Sequence, residues 1–133
     1  MHLETSIETR LTILEWSDKG ILFIRFKLGM SINLKGIQEI VEQRVALSAG
    51  ERVAVLSVLP PDLDADIDVM VSDHGMDVKH LTIAEATVAC TSAHRKLAEL
   101  YYSHFPQPFP TGVFGSEQEA TQWLIQQRQM VSM

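Results

Sequence analysis

Apolar positions in this chain change period several times, and each change marks an element. Leu11–Trp16 and Ile21–Lys27 are β-rich runs separated by Ser17-Asp-Lys-Gly20, whose glycine supplies the positive φ of a hairpin turn. In the second run Ile21, Phe23 and Arg25 share one face, and Leu22, Ile24 and Phe26 share the other. Such a strand is expected to lie centrally, covered on both sides. The period then lengthens. Leu34, Ile37, Val41, Val45 and Ser48 recur at helical spacing, with Ile40 and Leu47 widening the stripe, Ser31 or Asn33 able to cap it, and Gly50 placed to end it. Val53–Leu59 is continuously apolar, as expected of a strand buried between layers and parallel to the strand before the helix.

Pro60-Pro61 stops that strand, Asp62 is expected to cap a short helix reaching about Ser72, and Gly75 breaks it. A further strand is expected at Thr87–Thr91. Ser92 then caps a helix over Ala93–His104, with Leu97, Leu100, Tyr101 and His104 on one face. Pro106, Pro108 and Pro110 make a stiff loop. Val113-Phe114 next runs through Gly115 into Ser116-Glu-Gln-Glu119, a capping box, after which Ala120, Trp123, Leu124 and Gln127 share a helical face. Gln126–Met133 is expected to fray. The order β-β-α-β-α-β-α-β-α predicts a single α/β domain over residues 1–133, its core at about 10–125. Its sheet is expected to be mixed, of about five strands, antiparallel only at the opening hairpin and covered by helices.

Three stretches carry a family resemblance. They are the hairpin Leu14-Glu-Trp-x4-Ile-Leu-Phe-Ile24, the helix ending Leu47-Ser-Ala-Gly50 before Val53-Ala-Val-Leu56, and the ending Val113-Phe-Gly-Ser-Glu-Gln-Glu-Ala-Thr-Gln-Trp-Leu124. Together the chain resembles the sulfate-transporter and anti-sigma-factor-antagonist (STAS) fold, in its SpoIIAA-like branch of small stand-alone bacterial domains. The resemblance implies a regulatory or binding module. Phosphorylated members carry an acceptor Ser after the buried middle strand. Here that place reads Leu59-Pro-Pro-Asp-Leu-Asp64, with no hydroxyl between Val58 and Val71, and Ser57 lies inside the strand. A kinase-controlled switch is therefore not expected there.

Charge narrows the partners. Seventeen acids against eleven Lys and Arg leave a net charge of -6, and no basic block reaches five residues. Nucleic acid and anionic membranes both reward clustered cations, so neither is expected as a partner. No apolar run approaches a membrane span, and the N-terminal Met-His-Leu-Glu-Thr-Ser-Ile-Glu carries acids where a signal peptide needs cations. The expected location is the cytoplasm. The lone Cys90 cannot form an internal disulfide and is expected to be a small buried thiol in a strand.

Candidate chemistry is sparse, and no catalytic residue, metal site or cofactor is predicted. Asp62, Asp64, Asp66 and Asp68 alternate, but Ile67 and Asp73 stand where a calcium-binding loop wants Gly and Glu, so helix-terminal charge is the expected role. His74 and His80 are six apart, not at the i, i+4 spacing of a helical zinc site. Ser92, His94 and Arg95 follow a strand's C-terminal end, where free helix N–H groups attract anions, but no glycine-rich loop accompanies them. Tyr101, Tyr102, Phe105 and Phe109 gather around the proline loop, and the adjacent tyrosines are not expected to face one core. They form either a cluster under the loop or the cover of an apolar pocket or partner surface.

Asp62, Ser92, His94, Arg95, Tyr101 and Tyr102 are thus the candidate ligand-binding residues. The expected function is non-enzymatic: a binding or regulatory module acting through protein contacts, as a homodimer or with another protein, or through a small apolar or anionic ligand. One alternative is a carrier of an apolar or lipid-like ligand. The other is a hydrolase or metal-dependent enzyme around Asp62, Ser92 and His94.

Overall fold

The computed structural model describes residues 6–17 and 19–132. A six-stranded mixed sheet organises it, in the order β1-β2-β3-β5-β7-β8. β1 (Ser6–Glu8), β2 (Thr12–Trp16) and β3 (Ile21–Phe26) pair antiparallel; β5 (Val53–Val58), β7 (Thr82–Val88) and β8 (Thr111–Phe114) continue from β3 in parallel. The third long strand is therefore interior and parallel, as its two apolar faces require. The sixth strand is β1, whose three residues are too few to show an alternation, so the expected count of five fell short and the antiparallel part extends beyond one hairpin. Gly20 takes φ 76° in the hairpin turn; Asp18 of that turn lies outside the described residues.

Because the sheet advances in one direction, right-handed crossovers put every connecting helix on the same face. That face receives α1 (Leu34–Ser48), the short α2 (Ile67–Met70), a 3-10 helix (Met76–Leu81) and α3 (Ser92–His104). The other is covered by α4 (Glu117–Ser132). Two core clusters follow from strand alternation. Leu22, Ile24, Val53 and Val55 pack with Ile40 of α1, while Ile21, Ala54, Leu56, Ala84 and Ala86 pack with Ala120 and Leu124 of α4. Alanines beneath α4 let it sit close, and Trp123 stays half-buried against Phe114, ring centroids 5.5 Å apart.

Several local expectations are corrected. α1 turns Gly36, Ile40, Arg44 and Ser48 inward, whereas Leu34 and Val45 are exposed, because Gly36 allows close approach to Leu11. Its left-handed C-terminal residue is Ala49 (φ 55°), followed by Gly50 (φ 77°). Asp62 caps no helix. The chain first forms β6 (Asp64–Ala65), parallel to β4 (Ser31–Ile32), and Asp62 instead accepts the Gly29 N–H at 2.9 Å. α2 begins only after Asp66. The strand expected at Thr87–Thr91 is Thr82–Val88, since alternation of Ala84, Ala86 and Val88 against Glu85 and Thr87 overrides the helix propensity of Ala and Glu. Cys90 therefore falls beyond the strand and is exposed. Thr91, not Ser92, caps α3, its hydroxyl accepting the His94 N–H at 3.1 Å. In the capping box Ser116 accepts the Glu119 N–H at 3.2 Å, and the Ser116 hydroxyl also bonds the Glu119 carboxylate. The closing helix does not fray from Gln126 but continues to Ser132; Met133 lies outside the described residues.

Gly36 separates two effects of opposite sign. Alanine in a helix interior gains about 1 kcal/mol over glycine. Here a new Cβ would collide with Leu11, a fully buried side chain, and crowd the capping oxygen of Asn33. Overpacking of about 1–3 kcal/mol should win, so Gly36→Ala should destabilise. An increased urea midpoint would show that Leu11 has room to move.

Candidate functional site

The face shared by α1 and α3 changes character along the sheet. At β3 it is apolar (Ile24, Phe26); on β5 and β7 the same face carries Ser57, Glu85 and Thr87, with Ser57 and Thr87 directly paired across the strands. Above this polar floor α3 stands off the sheet. His94, Leu97, Ala98, Tyr101 and Tyr102 repeat at i, i+3, i+4, i+7 and i+8 and face inward, yet α3 has no buried residue. They line a cavity of about 220 Å³, closed by Ile40 and Arg44 of α1 and by Val69, His74 and Val78 of the covering segment.

The polar groups of the cavity are linked. The Tyr102 hydroxyl lies 2.8 Å from Thr87 Oγ1, where either oxygen can donate, and also bonds the Glu85 carboxyl. Arg44, 7% exposed, reaches through Nη2 to Thr82 Oγ1 at 2.6 Å and to the Leu81 carbonyl at 3.3 Å. Burial pushes the Glu85 carboxyl up from 4.5 against the attraction of Arg44. Burial likewise pulls Arg44 below its usual value, with Glu85 opposing. Tyr102 is raised well above 10 by burial and by Glu85, so its phenol remains a donor at neutral pH.

Tyr101 closes the other end. It donates to the Ser72 carbonyl at 2.9 Å and accepts the His74 N–H at 3.2 Å, and its ring stacks on His74 with centroids 5.0 Å apart. Burial pushes Tyr101 up to about 12 and holds His74 below 6.5. Lys79 pairs with Asp73 at 2.7 Å. These bonds tie the covering segment to α3.

Residues 15–128 match the family model described as a domain of unknown function, DUF7793. The chain belongs to the DUF7793 family. No curated protein matches it. It is similar to a crystal structure at 2.20 Å of a protein with unknown function from Arthrobacter sp. FB24, with 22% identity over 84% of this chain and 96% of that one and a TM-score of 0.32.

Within this DUF7793 domain the six sequence candidates separate. His94, Tyr101 and Tyr102 line the cavity together, which corrects the expectation that adjacent tyrosines could not share one core: at the i+7 and i+8 positions from His94 they flank the inward direction. Asp62 is exposed on the Gly29 loop, Ser92 is exposed in the first turn of α3, and Arg95 donates to the Ala89 carbonyl at 2.9 Å. No hydrogen bond joins Ser92 to His94 among the described residues, and His94 Nδ1 is buried there without a partner. Among the described residues no group of three or more His, Cys, Asp or Glu could hold a metal, and no helix is long and apolar enough to cross a membrane. The sequence reading missed Glu85, Thr87 and Arg44. The signal for the first two was the alternation in Thr-Ile-Ala-Glu-Ala-Thr-Val; for Arg44 it was a cation four residues from Ile40 and Ser48.

The raised Glu85 carboxyl fixes a pH dependence. Such a group supports folding fully below its unfolded pKa and withdraws that support as pH rises through the folded value. Relative to wild type, Glu85→Gln should therefore gain stability progressively above about pH 4.5. Urea titrations at about pH 4 and about pH 8 measure this; parallel behaviour of the two proteins would mean that Glu85 is not desolvated.

Proposed function

We propose that this domain is a non-enzymatic, STAS-like binding module whose ligand occupies the cavity between the sheet and α1 and α3. The observation that carries this reading is an apolar-walled space of about 220 Å³ ending in the linked Thr87, Tyr102 and Glu85, with the Arg44 guanidinium held beside them on Thr82. Ligand sites are largely apolar with a few convergent polar groups. The volume exceeds the roughly 150 Å³ that accommodates benzene, so the fitting ligand is a compact molecule of about nine non-hydrogen atoms. A long-chain lipid would not fit without opening the covering segment. The opening hairpin, successive parallel crossovers and closing helix support the STAS-like assignment.

A cavity-filling variant tests this. Ala98→Phe should close the space, keep the fold and abolish stabilisation by any small molecule that raises the wild-type thermal midpoint. A bound ligand at a hundredfold excess over its Kd should stabilise wild type by about 2.7 kcal/mol. Native mass spectrometry reports co-purified ligand directly. If Ala98→Phe responds to the same compounds as wild type, binding is elsewhere and the cavity reading fails.

Exposed apolar side chains favour a second reading, a homodimer through the helical face. Ile67, Val71, Met76 and Leu100 are 53–71% exposed on α2 and just beyond it, on the 3-10 helix and on α3. Sedimentation should then show a dimer that Leu100→Glu converts to monomer; a monomeric wild type at all concentrations would discard this reading.

A further inference from the structure

We propose that the cavity takes a compact organic acid, its carboxylate against Arg44 and its apolar body against the Ile24, Ile40 and Val69 wall. This rests on the cavity-binding reading above and adds the charge class of the ligand.

Arg44 is a buried cation whose two hydrogen bonds both leave from Nη2 and end on neutral oxygens. Glu85 attracts it, but no carboxylate lies within salt-bridge distance of it among the described residues. A buried cation is costly unless paired, and a guanidinium has the fork geometry that receives a carboxylate. The other cation at the cavity, Lys79, is already neutralised by Asp73 at 2.7 Å. Glu85 is the remaining acid of the floor, and burial favours its neutral form. The cavity is therefore short of negative charge.

The surrounding donors agree with an anion. Thr87, Tyr102 and a protonated Glu85 carry three O–H groups; the bonds among them use two, which leaves one to donate to a ligand carboxylate. An amine would lie beside Arg44 and be repelled. A phosphate dianion would need more cation than one guanidinium supplies. A neutral ligand would leave Arg44 as it stands.

Binding an anion beside Glu85 has a proton consequence. The groups facing Glu85 are Arg44 from α1, Tyr101 and Tyr102 from α3, and Lys79 from the covering segment, with Thr87 on its own strand and His74 and His94 at the cavity wall. When ligand carboxylate and Glu85 meet, they hold one proton between them, taken from solvent if Glu85 was ionised. Affinity for the acid should therefore fall as pH rises through the Glu85 titration.

The test uses the full chain with matched pairs: benzoate against benzyl alcohol, and hexanoate against hexanol, by isothermal titration at intervals from about pH 5 to about pH 9. Each acid should bind about tenfold or more tightly than its alcohol, the scale of a charge-assisted hydrogen bond. Each acid should also weaken toward the higher pH, while the alcohols do not. Arg44→Met should remove the preference for the acid. Should that variant fail to fold, Glu85→Gln decides, because it should keep acid binding and lose its pH dependence. Alcohols binding as well as the acids would overturn the charge assignment and leave the cavity reading standing. Binding of neither class, to wild type or to Glu85→Gln, would overturn both. Acid binding that survives in Ala98→Phe would also sink the proposal, by placing the anion site outside the cavity.

Discussion

A sheet that grows in one direction must put all of its crossover helices on one face. In this chain β3, β5, β7 and β8 follow one another in space as in sequence, so α1, α2, the 3-10 helix and α3 compete for the same surface. α4 has the opposite face largely to itself and settles on a floor of Ala54, Ala84 and Ala86. The crowded face packs well beneath α1, where Leu22, Val53 and Val55 point upward. It does not close beneath α3. There the inward strand positions are Ser57, Glu85 and Thr87, and the space above them is the cavity. The asymmetry between the two faces therefore follows from strand order, while the position of the cavity follows from three polar residues.

How much of this was legible depends on the element. β3, β5, α1 and the closing strand and helix were readable because their apolar residues repeat long enough to fix a period and a face. β7 was shifted by five residues, since Ala and Glu in Ile83-Ala-Glu-Ala favour helix and their alternation shows only when the whole strand is taken together. The acidic run Asp62–Asp68 was misread for a different reason. Its tertiary partners, the Gly29 N–H and the Ser31 hydroxyl, lie more than thirty residues away and no local pattern announces them. His94, Tyr101 and Tyr102 were selected for their chemistry and do meet, but the Glu85 and Arg44 they meet come from elements whose inward faces were placed wrongly or taken to be aliphatic. Cavity walls and core read alike in sequence, because Ile40 and Val69 have the same pattern whether they touch another side chain or empty space.

The covering segment shows how the two kinds of stabilisation are divided. Val69 and Val78 are buried, and the stretch from Asp66 to Leu81 is tied by Tyr101 to Ser72 and His74, by Gln107 to Asp73, by Arg44 to the Leu81 carbonyl and by the Asp66 N–H to the Ile32 carbonyl. Each such hydrogen bond contributes about 0.5–1.5 kcal/mol net, so this stretch rests on several small polar terms where α4 rests on buried apolar surface.

Evolution of a small domain ordinarily fills such space. An unfilled apolar volume of this size would cost at most about 5 kcal/mol, a large part of a typical domain's net stability, although water on the polar floor lowers the figure. A buried Arg and Glu add a desolvation cost that aliphatic replacements of similar volume would avoid. By contrast, β5 buries Val53, Ala54, Val55 and Leu56 completely, and Leu124 is sealed beneath α4. The loosely filled space and the costly charges coincide at one place, where α1, α3, β7 and the covering segment converge. Poor packing alone would scatter its defects, and a structural ion pair would bring Arg44 into contact with Glu85 without an open volume beside it. An occupant that filled the apolar part and neutralised the guanidinium would relieve both costs at once, and this coincidence is the physical ground for proposing a ligand there.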